Sequence, residues 1–260
     1  LKPSPFVFPG KITHSWYKAL LLQLDPDDDE AEQKARMELE RRTEREIAKE
    51  LQLIQGSLFD QEPTSADTTQ ARQAFTSQRV RDVLNRALQD SVDLGVSVSI
   101  QQFERIGFGF DWTLAHEQAR TWALTYTDNL LNQLGTTSTR IVGQAVGRWI
   151  SNGEPLPALI RDLAPAFGRD RAALIASTEV TRAYAQGTLA GYAAAGYGEG
   201  RPTEEIPQHP RCRCWYSLRI SKDNGAVFIF NTSADERVCP ICGPLHGQAV
   251  GVAKHGTTVN

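Results

Sequence analysis

From Asp25 to Gly56 the chain sets isolated apolar positions among charged ones, DPDDDEAEQKARMELERRTEREIAKELQLIQG. Ala35, Leu39, Ile47, Leu51, Ile54 and, just beyond, Leu58 recur at spacings that share one face of a 3.6-residue helix, which predicts an amphipathic α-helix. Pro26 stands where a first turn tolerates it, the acidic run Asp27 to Glu30 complements the positive end of the helix dipole, and Gly56 offers a stop. Opposite charges are mixed along the remaining surface. The expectation is therefore a solvated helix laced with i,i+4 pairs, with docking of its thin apolar stripe on a partner helix as the alternative. Ahead of it, residues 1–14 carry three prolines and one glycine and read as an extended arm, followed by a short apolar helix from Ser15 to Leu24.

Residues 60–70, DQEPTSADTTQ, are polar and turn-rich and read as a linker. Helical spacing resumes through Phe75, Val80, Val83, Leu84, Ala87 and Leu88. It gives way to VDLGVSVSI, whose β-branched alternation predicts a short strand or a buried connection, and then to FERIGFGF, a packed loop. From near Asp111, Trp112, Ala115, Ala119, Trp122, Leu130 and Leu134 supply a broad apolar face. Three further helices are predicted over Thr137 to Ile150, closed by Asn152 and Gly153, over Glu154 to Leu163, and over about Asp170 to Ala195. Short turns between such helices imply antiparallel neighbours in a bundle. Only near the end does the pattern change: Trp215 to Ile220 and Ala226 to Thr232 are β-prone runs around Asn224-Gly225, a strong hairpin turn. The fold class expected is mainly α, a helical bundle with long amphipathic helices, carrying a small C-terminal β-hairpin module. Three regions are expected: an arm and helix over 1–60, a helical middle over 61–135, and a domain with the hairpin module over 136–260.

Composition narrows the function classes. Of 260 residues 40% are hydrophobic and 23% charged, ordinary values for a globular protein. A net charge of −3 and a pI near 6.0 do not nominate nucleic acid or an anionic membrane as the main partner. No run approaches the ~20 apolar residues of a membrane helix. The opening LKPSPFVFPG lacks the regions of a signal peptide and an initiator Met, so a processed or trimmed chain is expected.

All four cysteines, Cys212, Cys214, Cys239 and Cys242, fall in the last fifth of the chain as a C-x-C and a C-x-x-C pair flanking the hairpin. Closing the hairpin brings the pairs together at its open end, where four thiolates would make a tetrahedral structural zinc site with Zn–S near ~2.3 Å. The tight C-x-C leaves room for His209 or His246 to replace one cysteine. Such a staple would hold a hairpin too small to be stable alone. A disulfide or reduced thiols are the alternatives. Catalysis finds less support: a zinc deaminase needs H-x-E, which is absent, and four thiolates leave no open position for water. A metal-dependent hydrolase recruiting His246 or His255 would lack a neighbouring acid. His116-Glu117 would need a second histidine at position 120, which is Arg120. No catalytic residue is assigned. Arg211, Arg213, Arg219, Lys222 and Arg237 surround the hairpin and could contact phosphates non-specifically, which makes a zinc-finger-like nucleic-acid-binding protein the second reading.

Three elements occur together: T-E-x-x-R-A at Thr178, Glu179, Arg182 and Ala183, H-P-x-C-R-C at His209 to Cys214, and D-E-R-V-C-P-x-C with L-H-G-Q from Asp235 to Gln248. In combination, over roughly residues 136–248, they resemble the Mu F-type head morphogenesis family, the minor head proteins of tailed bacteriophages. The two cysteine motifs stand in the reverse of the family's usual order, from a permuted pattern or a chain continuing past Asn260, so exact geometry does not carry over. The resemblance implies a virion component on the inner side of the capsid near the portal, made in the host cytoplasm. Its partners would be the portal and major capsid proteins and, in packaging or ejection, the DNA. It assigns Glu179 and Arg182 no activity; three apart on a helix, they read as a pair that fixes packing.

Overall fold

The computed structural model describes residues 28–65, 67–104, 112–202, 205–220, 226–233 and 240–253. The N-terminal arm, the Ser15 to Leu24 helix, the loop after Glu104 and the Asn224-Gly225 turn lie outside the described residues. Helix α1 spans Asp28–Leu58 and passes through Gly56. The solvated-helix expectation is corrected here. Arg36, Glu40 and Thr43 are buried beside Leu39, Ile47, Leu51 and Ile54. Several of its charges pair across elements rather than along the helix: Glu44 with Arg169 (3.0 Å), Glu46 with Arg86 (3.2 Å), Glu50 with Arg79 (3.0 Å), and Arg42 with Asp90. Four apolar residues are too few to seat 31 residues on the body, so charged side chains complete the interface. The more exposed of these pairs contribute little each, about 0–1 kcal/mol.

Helices α2 (Thr69–Phe75) and α3 (Gln78–Glu104) follow, and α3 absorbs the stretch predicted as a strand or buried connection. The reason is tertiary. Ser91, Val92, Gly95, Val96 and Ser99 line one face of α3 against α7, which spans Arg169–Tyr192, and packing overrides the modest β-preference of the valines. Helix α4 is one continuous element, Trp112–Asn152, of 41 residues and about 60 Å in length. It replaces the two helices expected on either side of Gly135, so the boundary expected at residue 135 falls inside it. Gly135 is not a stop because a Cβ there would stand 2.8 Å from Thr76 Cγ2; the glycine lets the α2–α3 turn approach. Gly153 (φ +63°) does close α4, its N–H donating to the Trp149 carbonyl at 3.0 Å. Short helices α5 (Leu156–Asp162) and α6 (Ala164–Phe167) lead into α7. There Phe167 stacks on Phe75 and meets Phe59 edge-on, tying the end of α1 to the bundle.

The α3–α7 crossing is set by glycine. A Cβ at Gly187 would stand 2.9 Å from Val92 Cα and overlap the Val92 carbonyl oxygen; one at Gly95 would overlap the Tyr184 carbonyl oxygen and stand 2.8 Å from Thr188 N. The two backbones touch directly.

Helices α3 and α4 are also joined by charge: Arg120 donates to both Asp93 carboxylate oxygens (2.8–3.2 Å), and His116 Nδ1 lies 3.0 Å from Asp93 Oδ1. Thus His116 belongs to a partly exposed ion cluster. Burial works against the Asp93 charge, but the hydrogen bonds from Arg120 and His116 outweigh it and hold the carboxyl below its usual range. A lowered carboxylate stabilises the fold above its ordinary pKa, and that gain is lost as pH falls through the folded value. The stability gap between wild type and Asp93→Asn, measured by urea unfolding, should be present at about pH 5 and close below about pH 4.

After a π-helical turn at Ala193–Tyr197 the chain enters the C-terminal module. Strands β1 (Trp215–Ile220) and β2 (Ala226–Asn231) pair antiparallel, Trp215 opposite Asn231, as the two β-prone runs predict. A third strand, β3 (Ala249–Ala253), adds to β2 and extends the expected hairpin to a three-stranded sheet in the order β1-β2-β3. Cys212, Cys214, Tyr216, Leu218, Phe228 and Phe230 build a second core with Phe103, Tyr192 and Tyr197, apart from the helical one. Gln102 donates to the Leu218 carbonyl (2.8 Å) and accepts from the Tyr192 hydroxyl (3.0 Å), linking β1 to α3 and α7. No helix among the described residues is long and apolar enough to cross a membrane.

Candidate metal centre

Three potential ligand atoms, from His209, Cys212 and Cys242, all lie within 4.8 Å of one another. Two local structures put them there. The turn His209 to Cys212 is closed by the Cys212 N–H donating to the His209 carbonyl at 3.1 Å. Cys242 begins a 3-10 turn, Gly243–Leu245, that Gly247 fastens to β2 through the Phe230 carbonyl at 2.8 Å. His209 Nε2 is 3.3 Å from Cys242 Sγ. Ligands about 2.0–2.3 Å from one tetrahedral ion stand about 3.5–3.8 Å apart, so the cluster is the right size for a shared metal.

The histidine is oriented for that role. Its Nδ1 lies 2.9 Å from the Pro210 carbonyl, which only accepts, so Nδ1 carries the proton and Nε2 presents its lone pair toward Cys242. A backbone carbonyl that fixes the tautomer is the usual support of a metal-bound imidazole. Cys214 is hydrogen-bonded to Cys212 and also meets Cys242. The Cys214 hydrogen bond, against the cost of burial, draws the Cys212 thiol down to about 5, while the Cys214 thiol is pushed up by that same contact and by burial. Competition among close thiols for negative charge is what a cation resolves. Cys212, Cys214 and Cys242 are buried free thiols, with no disulfide among them. Cys239 lies outside the described residues. The His/Cys/Cys group can hold a metal ion.

The other residues singled out in the sequence are placed as follows. The Nδ1 of His246 accepts the Thr232 N–H at 3.2 Å, a cap on the end of β2. His255, Lys222 and Arg237 lie outside the described residues. Arg213 makes a bidentate pair with Glu40 (2.8–3.1 Å) and keeps only 16% of its side chain exposed. It is thereby withdrawn from the phosphate-contacting set. Arg211 donates to the Asp170 carbonyl at 3.4 Å, and Arg219 is exposed.

The T-E-x-x-R-A helix lies alongside. Thr178 Oγ1 accepts the Arg211 N–H at 3.0 Å. Glu179 accepts from Tyr126 (2.9 Å) and from Arg182 Nε (3.2 Å), and the Arg182 guanidinium covers the Tyr126 ring at 5.4 Å. Burial pushes the Glu179 carboxyl up, offset in part by Arg182 and Tyr126. Ala183 is fully buried in the helical core. Arg182 also pairs with Glu205 (3.9 Å), so the group reaches beyond its own helix.

Sequence reasoning missed Arg36. This guanidinium is 2% exposed, lies over the rings of Trp215 (4.7 Å) and Tyr184 (5.3 Å), and donates Nη2 to the Arg213 carbonyl at 3.3 Å. One turn to either side, Glu32 accepts from the Tyr184 hydroxyl and Glu40 from Arg213. The i,i+4 spacing of Glu32, Arg36 and Glu40 was visible in the sequence; their hydrogen-bond partners, 152 to 177 residues away, were not. No protein-family model, curated protein or solved structure matches the chain.

Proposed function

We propose that this chain is a non-enzymatic assembly protein, a minor head protein of a tailed bacteriophage, whose C-terminal module is stapled by a structural zinc ion. The observation that carries the reading is the union of two of the motifs behind the family resemblance. Thr178 of the T-E-x-x-R-A helix accepts the backbone N–H of Arg211, inside H-P-x-C-R-C, so motif helix and ligand turn form one unit. Zinc suits the donor set: imidazole and thiolate are its preferred ligands, and a site filled by protein donors stabilises rather than catalyses. One further donor would complete the tetrahedron, from Cys239 or Cys214. In this role the module docks on the helical body, and the composite surface meets the portal and the major capsid protein on the inner side of the head, beside the packaged DNA.

The test is composition of particles. Heads purified from a lysate by density gradient and analysed by quantitative mass spectrometry should contain this chain in a few copies per portal. Recovery only in the unassembled fraction, with intact heads lacking it, would reject the assignment.

A further inference from the structure

The turn that carries the candidate ligands also carries the contacts that seat α1. Its two sides are divided: Cys212 and Cys214 enter the core of the module, while Arg211, Arg213 and Trp215 face the helices. Successive residues of an extended chain point to opposite sides, so positions set for an ion on one side fix the positions of their neighbours on the other. Arg213, between the two cysteines, grips Glu40 with its side chain and Arg36 with its carbonyl.

The N-terminal half of α1 depends on this grip. The α1 side chains buried in the helical core are Ile47, Leu51 and Ile54, all in the later half of the helix. Before them the inward positions include Arg36, Leu39, Glu40 and Thr43. Among the described residues, buried Nε and Nη1 of Arg36 have no hydrogen-bond partner, so its burial leans on the Tyr184 and Trp215 rings and on one carbonyl of the ligand turn. The turn is itself held in an uncommon conformation. Arg211 has φ +64°, a left-handed geometry that costs a non-glycine residue about 1–2 kcal/mol. An ion ligated by His209 and Cys212 spans Arg211 from both sides and would hold that geometry; without it the turn is free to relax and carry Arg213 away from Glu40.

We infer that metal binding at His209, Cys212 and Cys242 is coupled to docking of the first half of α1, with Arg213 as the positioning residue between them. The inference rests on the metal reading above and adds that the ion acts beyond its own module. Linkage makes it reciprocal: whatever loosens α1 weakens the metal site by the same factor.

Amide exchange read by mass spectrometry on the full chain tests this, comparing zinc-loaded protein with chelator-stripped protein at equal ionic strength. Residues 32–46 should exchange about tenfold faster without zinc, within the roughly 5–150-fold range of couplings between sites, while 115–131 in α4 stay unchanged. Arg213→Gln keeps every ligand. With zinc still bound one to one and 215–220 still protected, it should speed exchange over 32–46 similarly and weaken zinc binding about tenfold. Equal exchange over 32–46 with and without zinc, in protein shown by titration to bind one ion, overturns the coupling and leaves the staple standing. Protein that binds no zinc removes both. Should stripping unfold the whole chain, so that 115–131 accelerates as well, the zinc-bound Arg213→Gln variant decides: normal exchange over 32–46 overturns the inference.

Discussion

Gly187→Ala should lower the stability of this protein by about 3 kcal/mol, at the upper end of the cost of overpacking a tight core. The added methyl would overlap the Val92 carbonyl oxygen and lie 2.9 Å from Val92 Cα. Backbone cannot rotate aside as a side chain does, so α3 and α7 must separate. That would also disturb Val92, Val96 and Ala183, all packed in the helical core. In a chain of this size the loss corresponds to a fall of about 6–12 °C in Tm. Gly147→Ala supplies the control. It too lies in a helix, but a Cβ there meets none of the described residues within 4 Å. It should therefore raise stability by about 0.5–1 kcal/mol, the difference in helix propensity. Equal effects at the two positions, measured by thermal and denaturant unfolding, would show that the α3–α7 crossing is not a backbone contact.

Glu40→Ala should cost about 3 kcal/mol, the lower end of the range for removing one partner of a buried ion pair. The side chains of Glu40 and Arg213 are 9% and 16% exposed, and their bidentate geometry leaves the guanidinium little water to turn to. Most of the loss is the penalty of a buried charge without its partner rather than the net worth of the pair. Hence Glu40→Met with Arg213→Met should recover to within about 1 kcal/mol of wild type. A double variant less stable than either single one would contradict this account. The exposed pair Arg41 and Glu38, both 63% exposed, should show nothing measurable when broken.

How far the sequence speaks depends on the range of the forces involved. The β1–β2 hairpin was legible because β-prone runs and a turn signal act within a few residues. Strand β3 was not: AVGVA is short and holds a glycine, and it is a strand only because β2 offers an edge. Helix α4 was read as two because Gly135 looks like a terminator, whereas it is there to admit Thr76. The end of α3 was misread for the same reason in reverse, since its Val/Ser alternation serves a helix face packed against Gly187 and Gly191. Spacing made Cys212 and Cys242 legible as members of one centre, and His209 entered, with His246, as a substitute ligand because the C-x-C pair is tight. Nothing local marked Arg213 as a partner of Glu40 or Arg36 as buried between two rings. Those contacts exist only after the module has docked on α1.

The zinc staple is tested most directly by metal content. Full-length protein, purified under reducing conditions and dialysed after incubation with zinc, should retain one zinc per chain by elemental analysis. Its cysteines should then resist a thiol reagent until a chelator is added, and Cys212→Ser and Cys242→Ser should each lose most of the metal. Protein that retains no zinc and whose four cysteines all react at once would contradict the staple.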